Sequence, residues 1–191
     1  MKFDLLVPDG NERELASRAA ELGWEKVIFL KEFKDSQEIK QYAHLKGLLI
    51  KTKKDLNKIR KLKQFVDAVV VISDSTEAFN RAAVETKGVD YIFNLASSMG
   101  RDHTHYRRGG VNQVIAKLMR DNNIKYGVSF SRFLSLEQRP RIALLGRWIF
   151  NSKVFKKYNV PIEVFSLASD VADIRSMNSL ASFQRLIQQE I

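Results

Sequence analysis

Ala68-Val69-Val70-Val71-Ile72-Ser73 is apolar at its first five positions and mostly β-branched. A half-exposed strand alternates apolar with polar residues. One that is apolar throughout is covered on both faces, as in a parallel sheet flanked by helices. The flanks agree. Before it, Lys53–Val66 carries Leu56, Ile59, Leu62 and Val66 at helical spacing. After it, Ser75 stands where a helix from Thr76 to about Thr86 would be capped, and Gly88 ends that helix.

The same strand–helix unit repeats outward in both directions. Toward the N-terminus, Lys2–Val7, Lys26–Leu30 and Leu48–Thr52 read as strands. Between them lie a helix capped by Asn11 and closed by Gly23, with Leu15, Ala19 and Leu22 on one face, and a second over Ser36–His44. Toward the C-terminus, strands are expected at Val89–Leu95, Ile124–Phe130 and Pro161–Leu167. A long loop, Ala96 to Gly110, precedes a helix with Val111, Ile115 and Leu118 on its apolar side. A helical stretch from Leu136 to Tyr158 is interrupted by Pro140, and a last helix covers Ser179–Glu190.

Strands alternating with helices imply a parallel sheet. Seven strands with helices outside them suggest a barrel of the (β/α)₈ kind, which typically needs about 250 residues. With 191 residues, the chain is expected to form a single α/β domain over 1–191. That domain is TIM-barrel-like, with about seven parallel strands and an incomplete or irregular (β/α)₈ set. The eighth strand is missing or irregular around Asp170–Ile174. An open doubly wound sheet is the alternative.

Hydrophobic residues make up 45% of the chain, enough for a core without staples, and there is no cysteine. Disulfides and thiolate zinc sites are therefore excluded. The start, Met1-Lys2-Phe3-Asp4-Leu5-Leu6-Val7-Pro8-Asp9-Gly10, turns polar too soon for a signal peptide, and a cytoplasmic location is expected. Net charge is +10, unevenly spread: residues 101–157 hold 13 basic and 3 acidic side chains. Such an excess attracts polyanions, although an ordinary solvated surface is the plainer reading.

The search for catalytic chemistry returns little. The histidines are His44, His103 and His105, the last two forming HxH beside Asp102 in the long loop. With Asp4 and Asp74 they offer the makings of a metal-dependent phosphoesterase or nuclease. Arg101, Arg107 and Arg108 around the pair favour an anion over a cation. No GxGxxG, Walker A or GxSxG pattern occurs. A metabolite-converting barrel enzyme is a third class, and it requires a closed pocket with titratable groups. Arg107 and Arg108 precede Gly109-Gly110 and a helix start, a combination suited to phosphate; a turn with solvated arginines is the bland alternative. The six cations of Lys53–Lys63 read as a solvated helix face. Arg139, Arg141, Arg147, Lys153, Lys156 and Lys157 share a stretch with Trp148, Phe150 and Phe155. Bases could stack there, although such aromatics are more often core, and Trp148 is expected to be at least partly buried.

Three strings stand out in the centre of the chain: Leu62-Lys63-Gln64-Phe65-Val66-Asp67, Asn80-Arg81-Ala82-Ala83-Val84-Glu85 with Val89-Asp90, and Gly110-Val111-Asn112-Gln113-Val114-Ile115-Ala116-Lys117-Leu118 with Asn122-Asn123. They resemble the archaeal ribonuclease P protein component 3 family. Val128-Ser129-Phe130, Lys156-Lys157-Tyr158-Asn159-Val160-Pro161 and Ile174-Arg175-Ser176 are similar too, so the likeness runs in order over 62–176. It implies a barrel-like subunit of a ribonucleoprotein that removes the 5′ leader of precursor tRNA. In that family the RNA performs the hydrolysis, and the protein stabilises it and pairs with another small basic protein subunit. No catalytic residue, metal or cofactor is then expected on this chain, and divalent metal belongs with the catalytic RNA. Fold relatives with phosphoesterase activity carry histidines after strand one, where this chain has none. The expected RNA contacts are Arg101, Arg107, Arg108, Lys117, Arg120, Arg147, Lys153, Lys156, Lys157 and Arg175. The expected partners are ribonuclease P RNA, precursor tRNA through the complex and the other protein subunits, with no membrane.

Overall fold

A computed structural model describes residues 3–42, 44, 46–74, 76–96, 102 and 109–189. Seven strands are present: β1 (Asp4–Leu6), β2 (Val27–Lys31), β3 (Gly47–Ile50), β4 (Ala68–Ile72), β5 (Tyr91–Phe93), β6 (Lys125–Ser129) and β7 (Ile162–Phe165). They pair in chain order and all in parallel. The helices are α1 (Glu12–Glu21), α2 (Ser36–Gln41), α3 (Ile59–Leu62), α4 (Glu77–Glu85), α5 (Gln113–Asp121), α6 (Phe130–Leu134), α7 (Gln138–Tyr158) and α8 (Met177–Gln188). The sheet is therefore a nearly closed barrel rather than an open doubly wound sheet.

Strand periodicity sorts the side chains into two buried clusters. Leu5, Leu30, Leu49, Val70, Phe93 and Phe165 point inward and fill the barrel. Leu6, Phe29, Leu48, Val71, Ile92 and Val164 point outward to the helices. The aromatic rings of the interior touch: Tyr91 meets Phe165 edge-on with centroids 5.1 Å apart. Gly127 on β6 makes room for them, because a Cβ there would enter the Phe93 ring.

Closure falls between β7 and β1. Among the described residues no ladder joins them, only one bridge from Leu6 to Ala168, with the Val7 amide donating to the Ala168 carbonyl at 2.9 Å. Leu167, at φ +46°, takes a conformation rare for a bulky residue just before that bridge. Above the bridge, Asp4 substitutes for a missing strand: its Oδ1 accepts from the Ser166 and Leu5 amides at 2.9 Å each. The eighth strand, expected to be missing or irregular around Asp170–Ile174, is missing: that stretch holds a 3₁₀ turn, Val171–Asp173.

Three local expectations are corrected. Lys53–Val66 is not one helix but a 3₁₀ turn (Lys53–Lys58), α3 and a second 3₁₀ turn (Lys63–Phe65). Its buried residues Leu56, Ile59 and Leu62 are spaced by three, the period at which 3₁₀ side chains align. Pro140 does not interrupt α7, because it lies in the first turn, where no helical N–H bond is lost. The cap of α4 is Thr76, whose Oγ1 accepts from the Phe79 amide at 3.2 Å, and Ser75 lies outside the described residues. Among the described residues, no helix is long and apolar enough to cross a membrane.

Candidate nucleic-acid interface

The outer cations of the C-terminal half sit on two helices that pack on each other, α5 and α7. Asn112 caps α5, its Oδ1 accepting from the Ile115 amide at 2.9 Å. Ile115, Ala116 and Met119 face the sheet, which leaves Lys117 and Arg120 exposed. Arg120 is shared with Asp121 at 2.8 Å, a solvated neighbour pair of little strength. On α7 the buried positions are Leu144, Arg147, Trp148, Asn151, Ser152 and Phe155, a stripe at helical spacing. Lys153, Lys156 and Lys157 are thereby turned to solvent. Lys156 and Lys157 also lie in the last turn, where cations complement the helix dipole.

Arg147 is a correction. Its side chain is only 11% exposed, and its Nε donates to Asp102 Oδ1 at 2.8 Å. A second guanidinium N–H reaches the Ala96 carbonyl at 3.4 Å. One turn on, the Asn151 amide donates to the Gly109 carbonyl at 2.8 Å. A Cβ on Gly109 would collide with that amide, and one on Gly110, at φ +72°, with the Leu95 carbonyl. The polar positions of the α7 stripe therefore hold both described ends of the 97–108 segment and Asp102 within it. Arg147 thus spends its guanidinium on Asp102 and the Ala96 carbonyl and is not one of the solvent-turned cations. Trp148 and Phe155 are buried as core, which removes them as stacking platforms.

Arg175 is half-buried and folded back, donating to the Ala172 and Ile174 carbonyls at 2.7 and 2.9 Å beside the Phe130 ring. Arg101, Arg107 and Arg108 lie outside the described residues, as do His103 and His105. The structure thus brings five of the expected contacts to neighbouring helices: Lys117, Arg120, Lys153, Lys156 and Lys157.

The carboxylates of the phosphoesterase reading have other duties. Asp74 is exposed and accepts from the Thr76 amide and hydroxyl at 2.8 Å each. Asp4 is fully buried in the seam, and burial raises its pKa to about 7 against the pull of the Ser166 hydroxyl and the Ser166 and Leu5 amides. Its Oδ2 has no hydrogen-bond partner. Among the described residues, no three His, Asp or Glu side chains gather as a metal would require. At the N-terminal ends of β5 and β6, the Tyr91 hydroxyl and the Lys125 ammonium both donate to Glu163, at 2.9 and 2.7 Å. Burial and Glu163 push the Tyr91 phenol upward, so it stays neutral.

What fold and surface define is an α/β barrel with a filled interior that displays its charge on outer helices. Its sequence resembles ribonuclease P protein component 3, as the motifs indicated. The relative from Methanosarcina mazei is 32% identical over 114 residues, 59% of this chain and 44% of that protein. The one from Methanocaldococcus jannaschii is 26% identical over 156 residues, 81% of this chain and 63% of the relative. The matched region is thus less than two thirds of either relative. No protein-family model matches the sequence. A chain of the cryo-EM structure of archaeal ribonuclease P with mature tRNA superposes with a TM-score of 0.76, over 97% of this chain and 82% of that one, at 21% identity. That likeness establishes the barrel.

Proposed function

We propose that this chain is a non-catalytic protein subunit of ribonuclease P, the ribonucleoprotein that matures tRNA 5′ ends. In this reading it binds and stabilises the catalytic RNA in the cytoplasm, pairs with another small basic protein subunit, and meets precursor tRNA through the complex. Divalent metal serves the RNA and not this chain. The observation that carries the reading is the row of solvent-turned cations on α5 and α7 in a chain similar to component 3. Phosphate contacts of this kind position RNA without reading its sequence.

The test has two arms. Purified from its native source, the protein should bring along an RNA of defined sequence and other small basic proteins. The recombinant chain alone should leave precursor tRNA intact with any divalent metal. Robust cleavage by the chain alone, lost on changing His103 or His105, would replace this reading with the metal-dependent nuclease.

A further inference from the structure

The densest positive run of the chain is not on α5 or α7. Residues 46–63 hold eight basic side chains and one acidic. They form the connection from β3 to β4, on the opposite side of the barrel in strand order. Because α2 has six residues and the connection is broken into 3₁₀ and α pieces, the two do not close on each other. A groove of about 330 Å³ remains between them.

Its rim is cationic and its floor apolar. Lys34, Lys58 and Lys61 line it, with Leu62 beneath and the polar ends of Ser36 and Asn57 beside them. The ammonium groups of Lys34 and Lys61 have no carboxylate partner among the described residues, while the Lys34 backbone amide donates to Glu38 at 2.7 Å, and Lys58 shares Asp55 at 2.6 Å in a pair that a stronger anion can displace. The acid at the groove, Asp35, is occupied: its Oδ1 accepts from the Gln37 and Glu38 amides at 2.9 and 3.0 Å. One turn beyond Leu62, in the 3₁₀ turn that packs against α2, Phe65 is 38% exposed. A partly exposed ring on the element next to a cationic groove suits unpaired bases, which stack on aromatic side chains while their phosphates meet the charge.

We propose that this groove is a second RNA site, taking a single-stranded segment with its phosphates on Lys34, Lys58 and Lys61 and a base on Phe65. It rests on the reading of the chain as an RNA-binding subunit and adds a surface to it. A duplex fits less well, since its phosphates lie on a convex rod and its bases are not free to stack. An acidic peptide would use the lysines but not the ring.

The experiment uses the full chain and a labelled oligouridylate of about ten nucleotides, within the span of known single-strand sites. The variant Lys34→Ala/Lys61→Ala is compared with Arg13→Ala/Arg18→Ala on α1, equal in charge, and with Lys153→Ala/Lys156→Ala/Lys157→Ala. Matching melting curves establish that each is folded. The groove variant should lose about tenfold or more in affinity and reduce the log–log salt slope by roughly 1.4, at about 0.7 per phosphate contact. The α1 variant should lose much less. A 5-iodouridine probe should cross-link to Phe65. Equal losses from groove and α1 variants, or equal displacement by oligoglutamate of matched charge, would overturn the groove. If only the α7 variant loses affinity, the groove fails and the proposed function stands. If the wild-type chain binds no RNA, including the RNA of the assembly, both fail.

Discussion

Asp4 shows how much one side chain does at the seam. Its carboxyl satisfies two backbone amides that no neighbouring strand reaches, yet it does so in a place without water. Folded, its pKa is about 7 instead of the ordinary 3.8, so between those values the folded state holds more protons than the unfolded one. This contribution therefore makes stability fall as pH rises from about 4 to 7 and level off above, by an amount on the order of 4 kcal/mol. In Asp4→Asn the amide oxygen can keep both bonds and nothing titrates. Chemical denaturation of both proteins from pH 4 to 8 should show the variant gaining on the wild type across that window; parallel curves would disprove the assignment. Sequence placed Asp4 in strand one but as a possible metal ligand, because spacing cannot show that the strand lies at an unpaired edge. Arg147 was misread for a related reason. Its partner Asp102 is 45 residues away, and only its place in the stripe with Leu144, Trp148 and Phe155 pointed inward.

At the scale of elements, every strand was legible, β4 most plainly as an apolar run, since burial on both faces leaves a composition signal independent of register. The connections were less so. Leu56, Ile59 and Leu62 fit a helix or a 3₁₀ turn about equally from spacing alone, and α6 was hidden in the residues after β6. The broken connection has an energetic signature. Ile59 is fully buried, and Ile59→Ala should destabilise the fold by about 2–5 kcal/mol. Phe65, only partly covered, should lose clearly less than Ile59 when changed to alanine, on the order of 1 kcal/mol. Urea titration of both variants decides this. A large loss at Phe65 would mean that its ring is needed by the fold and is not free for a ligand.

For the whole molecule, the barrel interior is a packed core of Leu5, Leu49, Phe93 and Phe165, as in (β/α)₈ barrels generally, and the charge lies outside it. The charge of +10 is then free to act as a surface field. That overall charge was legible in the sequence; its division into an α5–α7 face and an α2–α3 groove was not, since it depends on which side of each helix the sheet occupies. The division has a consequence for binding. Lys153, Lys156 and Lys157 lie on the helix before β7 and the groove on the connection after β3, so they share no partner, and distant sites usually act additively within about 0.3–0.5 kcal/mol. RNA of the assembly should therefore bind the full chain with a steep salt dependence. Neutralising the α7 trio should lower the log–log slope by roughly 2, and adding the groove pair by roughly 1.4 more, as expected for about 0.7 per single-strand contact. Fluorescence titrations at four or more salt concentrations measure all three slopes. A wild-type affinity indifferent to salt would remove the electrostatic interface altogether. Losses that depend only on the number of charges removed, wherever they lie, would leave a diffuse positive field in place of two faces.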